Sequence, residues 1–262
     1  MKTGNIWLIC REPVHIGGAD SENRGNNNPI FRLPDRTPVI PGSSLRGALR
    51  EHAREHAEKT PSLQDTIREW FGGNTQAAEP GNISLGWGWP VWWPVHVLGY
   101  GNWWVSCRSW LRRYCDLTQT QFPELQGNLL ITEQSLNGKT VYLRWIKLSN
   151  VIYRDPDNIP LPPDLKPYQN RLIIVPDESI NTLVDMGIVR QPRVALKEKP
   201  DDEGNLVDNL FAVEGIPPGA VFLVSWNSRQ QETGEWENFL SQEHYLGGLW
   251  GVGYGRILIQ PI

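Results

Sequence analysis

Apolar positions along the chain follow two spacings. Asn5 to Cys10 is a short, nearly unbroken apolar run of the length of a buried strand. Leu45, Ala48, Leu49 and Ala53 recur at steps of three and four, which predicts an amphipathic helix over about 43–58. The same spacing predicts helices over about 63–71, 106–114 and 179–186. Extended runs at 86–94, 141–146, 172–175, 220–226 and 257–259 read as strands, with Val141 to Ile146 the clearest. Residues 190–216 read as a hairpin whose turn, Asp202-Glu203-Gly204-Asn205, is too polar for a core and should project. The polar stretch from Gly17 to Asn28 reads as a loop. Strands and helices mix along one chain, so the expected class is α+β.

The helix at 43–58 opens in Pro38-Val-Ile-Pro-Gly-Ser-Ser-Leu-Arg-Gly, a turn running into a helix start. Ser43 or Ser44 can cap the first amides, and no Glu or Gln closes the capping box. Free N–H groups, the positive end of the helix dipole, and Arg46 and Arg50 one turn apart suit an anion such as a phosphate backbone. An ordinary amphipathic helix with solvated arginines is the plainer reading.

Charge and composition narrow the partners. The 262 residues carry a formal net charge of −4, so a polyanion would need a local basic patch. Residues 11–54 supply one in sequence, with Arg11, Arg24, Arg32, Arg36, Arg46, Arg50 and Arg54 against five acids; Arg108, Arg112 and Arg113 form a second group. Cys10, Cys107 and Cys115 are odd in number and lack paired metal spacing, which points to buried reduced thiols. The N-terminus lacks a signal-peptide pattern and no apolar run has membrane-spanning length, so a soluble, cytoplasmic protein with no membrane partner is expected. Seven of the thirteen tryptophans lie between 87 and 110. They can stack bases or sugars, but packing in a core or subunit interface is the default for so large an apolar side chain.

Five glycines between Gly247 and Gly255 resemble a nucleotide-binding loop only superficially. The GxGxxG spacing is missing, and a strand, Ile257 to Ile259, follows instead of a helix. What remains is a backbone that another molecule can approach closely, or simply a tight hairpin.

The loop after the first strand, the Ile-Pro-Gly-Ser-Ser-Leu-Arg-Gly helix start and the glycine-rich segment before the last strand occur in one order, and together they resemble the RAMP superfamily of CRISPR RNA-binding proteins. In the middle, Pro94-Val-His-Val-Leu-Gly99, Trp104-Val-Ser-Cys107, Trp110-Leu-Arg-Arg-Tyr114, Ile173-Ile-Val-Pro-Asp177 and the hairpin ending at Pro217-Pro218 resemble the backbone subunits of type III-B (Cmr) effector complexes. The resemblance covers essentially the whole chain. It implies a ferredoxin-like (RRM-like) βαββαβ core in one domain over 1–262, with a Trp-rich insertion at about 72–170 and a projecting thumb hairpin at about 190–216. It further implies a filament of copies on a CRISPR guide RNA, with target RNA and other type III-B subunits as partners. Ser43, Ser44, Arg46 and Arg50 would hold guide phosphates, and Gly247, Gly248, Gly251, Gly253 and Arg256 would let the RNA backbone pass.

Many members of the family carry an Asp two residues before a proline in the loop after strand one, where it supports Mg2+- or Mn2+-dependent cleavage of target RNA. Here that position is Asn27, two residues before Pro29. Asn is neutral, binds divalent cations weakly and cannot act as a general base. Asp20 or Glu22 on the same loop can substitute, and His15 aligns with a family histidine near the scissile site; a lone His at a strand end also serves structural roles. Two other readings stand beside this one. One is a stand-alone endoribonuclease that processes precursor CRISPR RNA with His15 as acid or base. The other is a carbohydrate-binding β module whose tryptophans stack on sugars.

Overall fold

A computed structural model describes residues 1–17, 27–59, 64–73, 79–199 and 206–262. In chain order its elements are β1 (Lys2–Cys10), β2 (Asn27–Asn28), α1 (Gly42–Lys59), α2 (Gln64–Phe71), β3 (Ile83–Leu85), β4 (Trp89–Val97), β5 (Gly101–Cys107), α3 (Arg108–Thr118) and β6 (Leu130–Ile131). There follow β7 (Val141–Leu143), β8 (Ile146–Leu148), β9 (Ile152–Tyr153), β10 (Leu172–Val175), α4 (Asp177–Gly187), β11 (Val189–Leu196) and β12 (Val207–Gly215). The chain closes with β13 (Val221–Ser228), α5 (Trp236–Leu240), β14 (Glu243–Tyr245) and β15 (Arg256–Pro261).

A large mixed sheet runs in the order β14-β15-β1-β13-β4-β5-β10-β6-β9. Strand β1 is antiparallel to both neighbours, from Lys2↔Ser228 to Ile9↔Val221 with β13, and from Ile6↔Pro261 to Cys10↔Ile257 with β15. Strands β5 and β10 pair in parallel, as elements separated by a helix can. Strand side chains alternate faces. Ile6, Leu8 and Cys10 therefore join one core with Leu45, Leu49, Ala53 and Ala57 of α1, while Trp7 and Ile9 join a second core with Leu111, Tyr114 and Cys115 of α3. Burial on both faces is why β1 reads as a continuous apolar run.

The helix expected at 43–58 is α1, held down by the fully buried Leu45 and Leu49. The one expected at 63–71 is α2; residue 63 lies outside the described residues. Helix α3 starts and ends later than expected. Its N-terminal end is set by the Asp177 carboxylate at the start of α4, which accepts from the Ser109 N–H at 3.0 Å. The clearest expected strand, 141–146, is instead two strands. The chain reverses at Arg144, whose φ is 50°, and Trp145, so β7 pairs antiparallel with β8. Arg144 donates to the carbonyl of Met186, which helps hold this glycine-free turn. Helix α5 and strand β14 had no clear sequence pattern. The three cysteines are free and buried, as expected.

The hairpin expected at 190–216 is present as β11 and β12, paired from Val189↔Gly215 to Leu196↔Val207; its charged turn, 202–205, lies outside the described residues. Strand β2 adds to it in parallel, with Ala212 opposite Asn27 and Val213 opposite Asn28. The chain after β1 is thereby attached to the base of the hairpin.

Candidate functional site

Four segments converge just beyond β1. Val14 bridges Ile216 at the end of the hairpin, His15 bridges Gly248, and Gly17 bridges Ile30. The N–H of Gly255 donates to Pro13 and that of Gly248 to His15. The half-buried His15 places Nδ1 2.8 Å from the Glu214 carbonyl oxygen. A carbonyl can only accept, so Nδ1 carries the proton, and in the neutral ring Nε2 keeps its lone pair. That atom lies 3.6 Å from where a Cβ on Gly17 would stand, at the entrance to the loop after β1. Of the other candidate catalytic residues, Asp20 and Glu22 lie outside the described residues, and Asn27 is placed by its backbone pairing alone. Among the described residues no group of three or more His, Cys, Asp or Glu could hold a metal ion.

Helix α1 begins at Gly42, one residue before the serines, and the Pro41 carbonyl accepts from the N–H groups of Ser44 and Leu45. Gly42 is buried because the helix start packs on the next strand connection: a Cβ there would lie 2.7 Å from the Leu85 oxygen. Ser43 is exposed and Ser44 half-buried in the first turn. Arg46 and Arg50 do not point freely to solvent. Arg46 donates to the Phe71 carbonyl, and Arg50 to those of Gly72 and Gly73 at 3.4 and 3.2 Å. They neutralise the carbonyl end of α2, where the helix dipole favours cations. Burial, then the nearby Arg54 and Arg46, lower the Arg50 pKa. Gly47, by contrast, is exposed in mid-helix with nothing within 4 Å of a Cβ.

Residues 246–255 connect β14 to β15, so the glycine segment is a hairpin loop. At Gly247 a Cβ would lie 2.1 Å from the His15 oxygen, and φ is +81°, so the fold itself requires glycine. Gly248 and Gly251 have open space and ordinary φ; Gly253 also has space, with φ +84°. Trp250 is exposed between them. Arg256 pairs with Glu243 at 2.6 Å.

The arginine-rich segment does not form one free patch. Arg32 bridges Asp185 of α4 and Glu214 of β12, Arg36 also reaches Asp185, and Arg190 reaches Glu214 at 3.4 Å. Arg11 pairs with Asp164 at 2.9 Å and Arg54 with Glu51 at 3.3 Å; Arg24 lies outside the described residues. In the second group, Arg108 donates to the Leu125 and Gly127 carbonyls, while Arg112 and Arg113 lie over Phe122 and Trp89. Asp185 and Glu214, which fasten this region, gave no sequence sign because they are isolated acids on separate elements.

A second feature without a sequence sign is the contact of His52 on α1 with His244 on β14, Nδ1 to Nδ1 at 3.2 Å. His244 is fully buried and donates through Nε2 to the Phe239 carbonyl. Burial lowers its pKa to about 4 and lowers that of His52 as well.

Comparison with known proteins gives a consistent result. The model of the RAMP superfamily matches residues 7–258. The structure of type III-B Cmr-beta bound to cognate target RNA superposes with TM-score 0.78 at 17% identity, covering 100% of this chain and 97% of that one. A crystal structure of Cmr4 gives TM-score 0.68 at 21% identity, covering 100% and 99%. Oligomeric Cmr4 from Pyrococcus furiosus gives 0.68 at 20% identity, covering 100% and 98%. No curated protein matches the sequence. Among the described residues no helix is long and apolar enough to cross a membrane.

Proposed function

The chain belongs to the RAMP superfamily, and from that premise we propose that it is the guide-RNA-binding backbone subunit of a type III-B CRISPR (Cmr) effector complex. Copies would line up along one crRNA in the cytoplasm, beside other subunits of the complex, and present target RNA. The observation that carries the reading is the end-to-end likeness to Cmr4 and to a Cmr-beta complex subunit. In this reading 1–262 is a single domain with a ferredoxin-like core, 72–170 is the Trp-rich insertion, and the β11–β12 hairpin is the thumb that enters the guide–target duplex.

The guide would lie along the open side of α1 and the glycine loop. Ser43, Ser44 and the first-turn amides would take a phosphate. Arg46 and Arg50 already serve α2, so they act through their field and through donors left over from capping, a guanidinium having five. Gly47, Gly248, Gly251 and Gly253 have no neighbour within 4 Å of a Cβ, which suits close passage of a backbone. Arg256, though paired with Glu243, stands at the end of the same loop.

Among the described residues, those at this position fit a divalent cation poorly. Asn27 offers a neutral amide where a carboxylate is needed, and metal-dependent cleavage should be slow or absent. Asn27→Asp should then create Mg2+- or Mn2+-dependent cuts at regular spacing in bound target RNA; vigorous cutting by the unaltered complex would overturn this. One observation favours a second reading, a metal-free processing nuclease: with Nδ1 of His15 donating to the Glu214 carbonyl, the neutral ring presents Nε2 as its proton acceptor. Co-expression with the neighbouring genes separates the two. Mature guide RNA should co-purify with several copies of the chain, and precursor RNA should stay intact in EDTA. Loss of RNA from the complex would remove the first reading, and His15-dependent cutting of precursor in EDTA would establish the second.

A further inference from the structure

Trp87 is held in an unusual way. Gly88 exchanges two backbone hydrogen bonds with Ile40, at 2.8 and 3.0 Å, and the Gly86 N–H donates to Ser225 at 2.8 Å. Side chains at 86 or 88 would meet Ser225 at 3.0 Å or Ile40 at 2.9 Å, so the backbone on both sides of Trp87 is clamped against neighbouring segments. The indole is supported from within the protein. It stacks on Trp89 with centroids 6.2 Å apart and planes 23° apart, and it meets Phe31 edge-on at 5.8 Å. Even so, 40% of Trp87 remains exposed, whereas Trp92 and Trp93 are fully buried.

The Arg113 guanidinium lies 3.9 Å from the centroid of the Trp89 ring. Among the described residues neither Arg113 nor its neighbour Arg112 pairs with a carboxylate, unlike Arg11, Arg32, Arg36 and Arg54. A rigid aromatic pair, Trp87 on Trp89, thus carries at Trp89 one cation, Arg113, that has no carboxylate partner among the described residues. Leu85 and Gly86, just before it, pack against Gly42, so it adjoins the first turn of α1 and the exposed Ser43. A flat π-system joined to an anion satisfies both features, which is the chemistry of a nucleotide. A neutral sugar would leave the guanidinium unmatched, and an acidic peptide would leave the ring uncovered.

We propose that Trp87 is a stacking platform for one nucleobase of a single-stranded RNA segment, with Arg113 facing its phosphate. The proposal rests on the RNA-binding reading above. It is tested on the purified full chain with a labelled uridine 12-mer, the same oligomer without bases, and the variants Trp87→Ala, Trp87→Phe, Arg113→Ala and Trp145→Ala. Trp145 is 87% exposed at the β7–β8 turn and serves as the control. Trp87→Ala should weaken uridine binding about 5- to 100-fold without changing the salt slope, Trp87→Phe should weaken it less, and the base-free oligomer should bind Trp87→Ala and unaltered protein alike. Arg113→Ala should lower the salt slope by about one. Trp145→Ala should bind normally. Normal uridine binding by Trp87→Ala, or equal loss of the base-free oligomer, would overturn the platform and leave the RNA-binding reading intact. A loss in Trp145→Ala equal to that in Trp87→Ala would also overturn it. Failure of the unaltered chain to bind either oligomer would remove both.

Discussion

In its C-terminal half α1 is joined to β14 through His52 and His244, and Arg50 in mid-helix is turned to the end of α2. Its first turns are different. Gly42 fits tightly on Leu85, but its neighbours Ser43 and Gly47 in the first two turns are exposed to solvent. The glycine loop repeats the contrast, with Gly247 wedged on His15 and Gly248 in open space. The arginines that stand out in the sequence belong largely to the internally satisfied side. The positions the fold leaves unused are small or aromatic, and these are where a partner has room.

The closed side can be broken by acid. His244 has a pKa of about 4 in the fold against 6.5 for the free side chain, because burial penalises its charge. A depressed pKa means that the unfolded chain binds the proton more readily. The stabilisation is therefore full above about pH 6.5 and is lost as pH falls toward 4, by ~3 kcal/mol. Urea unfolding at pH 7.5 and 4.5 should show this loss, and His244→Gln should reduce the difference between the two; an unchanged difference would show that the histidine pair does not control it.

Gly247→Ala should cost about 2 kcal/mol or more, combining a left-handed φ with a collision against the His15 carbonyl. Gly248→Ala should stay within about 0.5 kcal/mol. Equal thermal shifts in the two variants would erase the distinction between the inner and outer parts of the loop.

Replacing Arg46 and Arg50 together by Ala should lower stability by about 1–2 kcal/mol, because the α2 carbonyls lose charged donors. RNA titrations at several salt concentrations then sharpen the picture. A smaller salt slope means that the arginines also meet phosphate, whereas weaker binding at the same slope means that they only position α1 and α2.

Gly47→Ala should have the smallest effect and the opposite sign, raising stability by up to about 1 kcal/mol while weakening guide-RNA binding. Gain in both properties would make Gly47 a tolerated defect in the helix and not a contact surface.

Much of the architecture was legible in the chain because burial leaves periodic marks. β1, α1, β10 and both strands of the hairpin follow directly from the spacing of their apolar residues. The division of 141–146 was hidden because Arg144 and Trp145 turn the chain without Gly, Pro or Asn. At the site, sequence order brought out Ser43, His15 and the glycine loop, but neighbourhood in space decided the charges. Nothing near Arg32 in sequence announces Asp185 and Glu214, and nothing near Arg46 announces the carbonyl of Phe71. Trp87 differs from Trp92 and Trp93 only through the glycines on either side, a sign that has meaning once Ile40 and Ser225 are known to fill the space.

The bridge between Gly17 and Ile30, with the Phe31 N–H 2.7 Å from the Ile16 carbonyl, fixes the two ends of the intervening stretch side by side, and β12 holds Asn27 and Asn28 just before the second end. For a segment whose ends are already fixed together, added length carries little penalty, about 0.6 kcal/mol for each doubling. The stretch is therefore a cassette. Its length and its carboxylates can change over evolutionary time, or be exchanged by grafting, without renegotiating the sheet beneath, so chemistry at this position can be lost and regained faster than the fold that carries it.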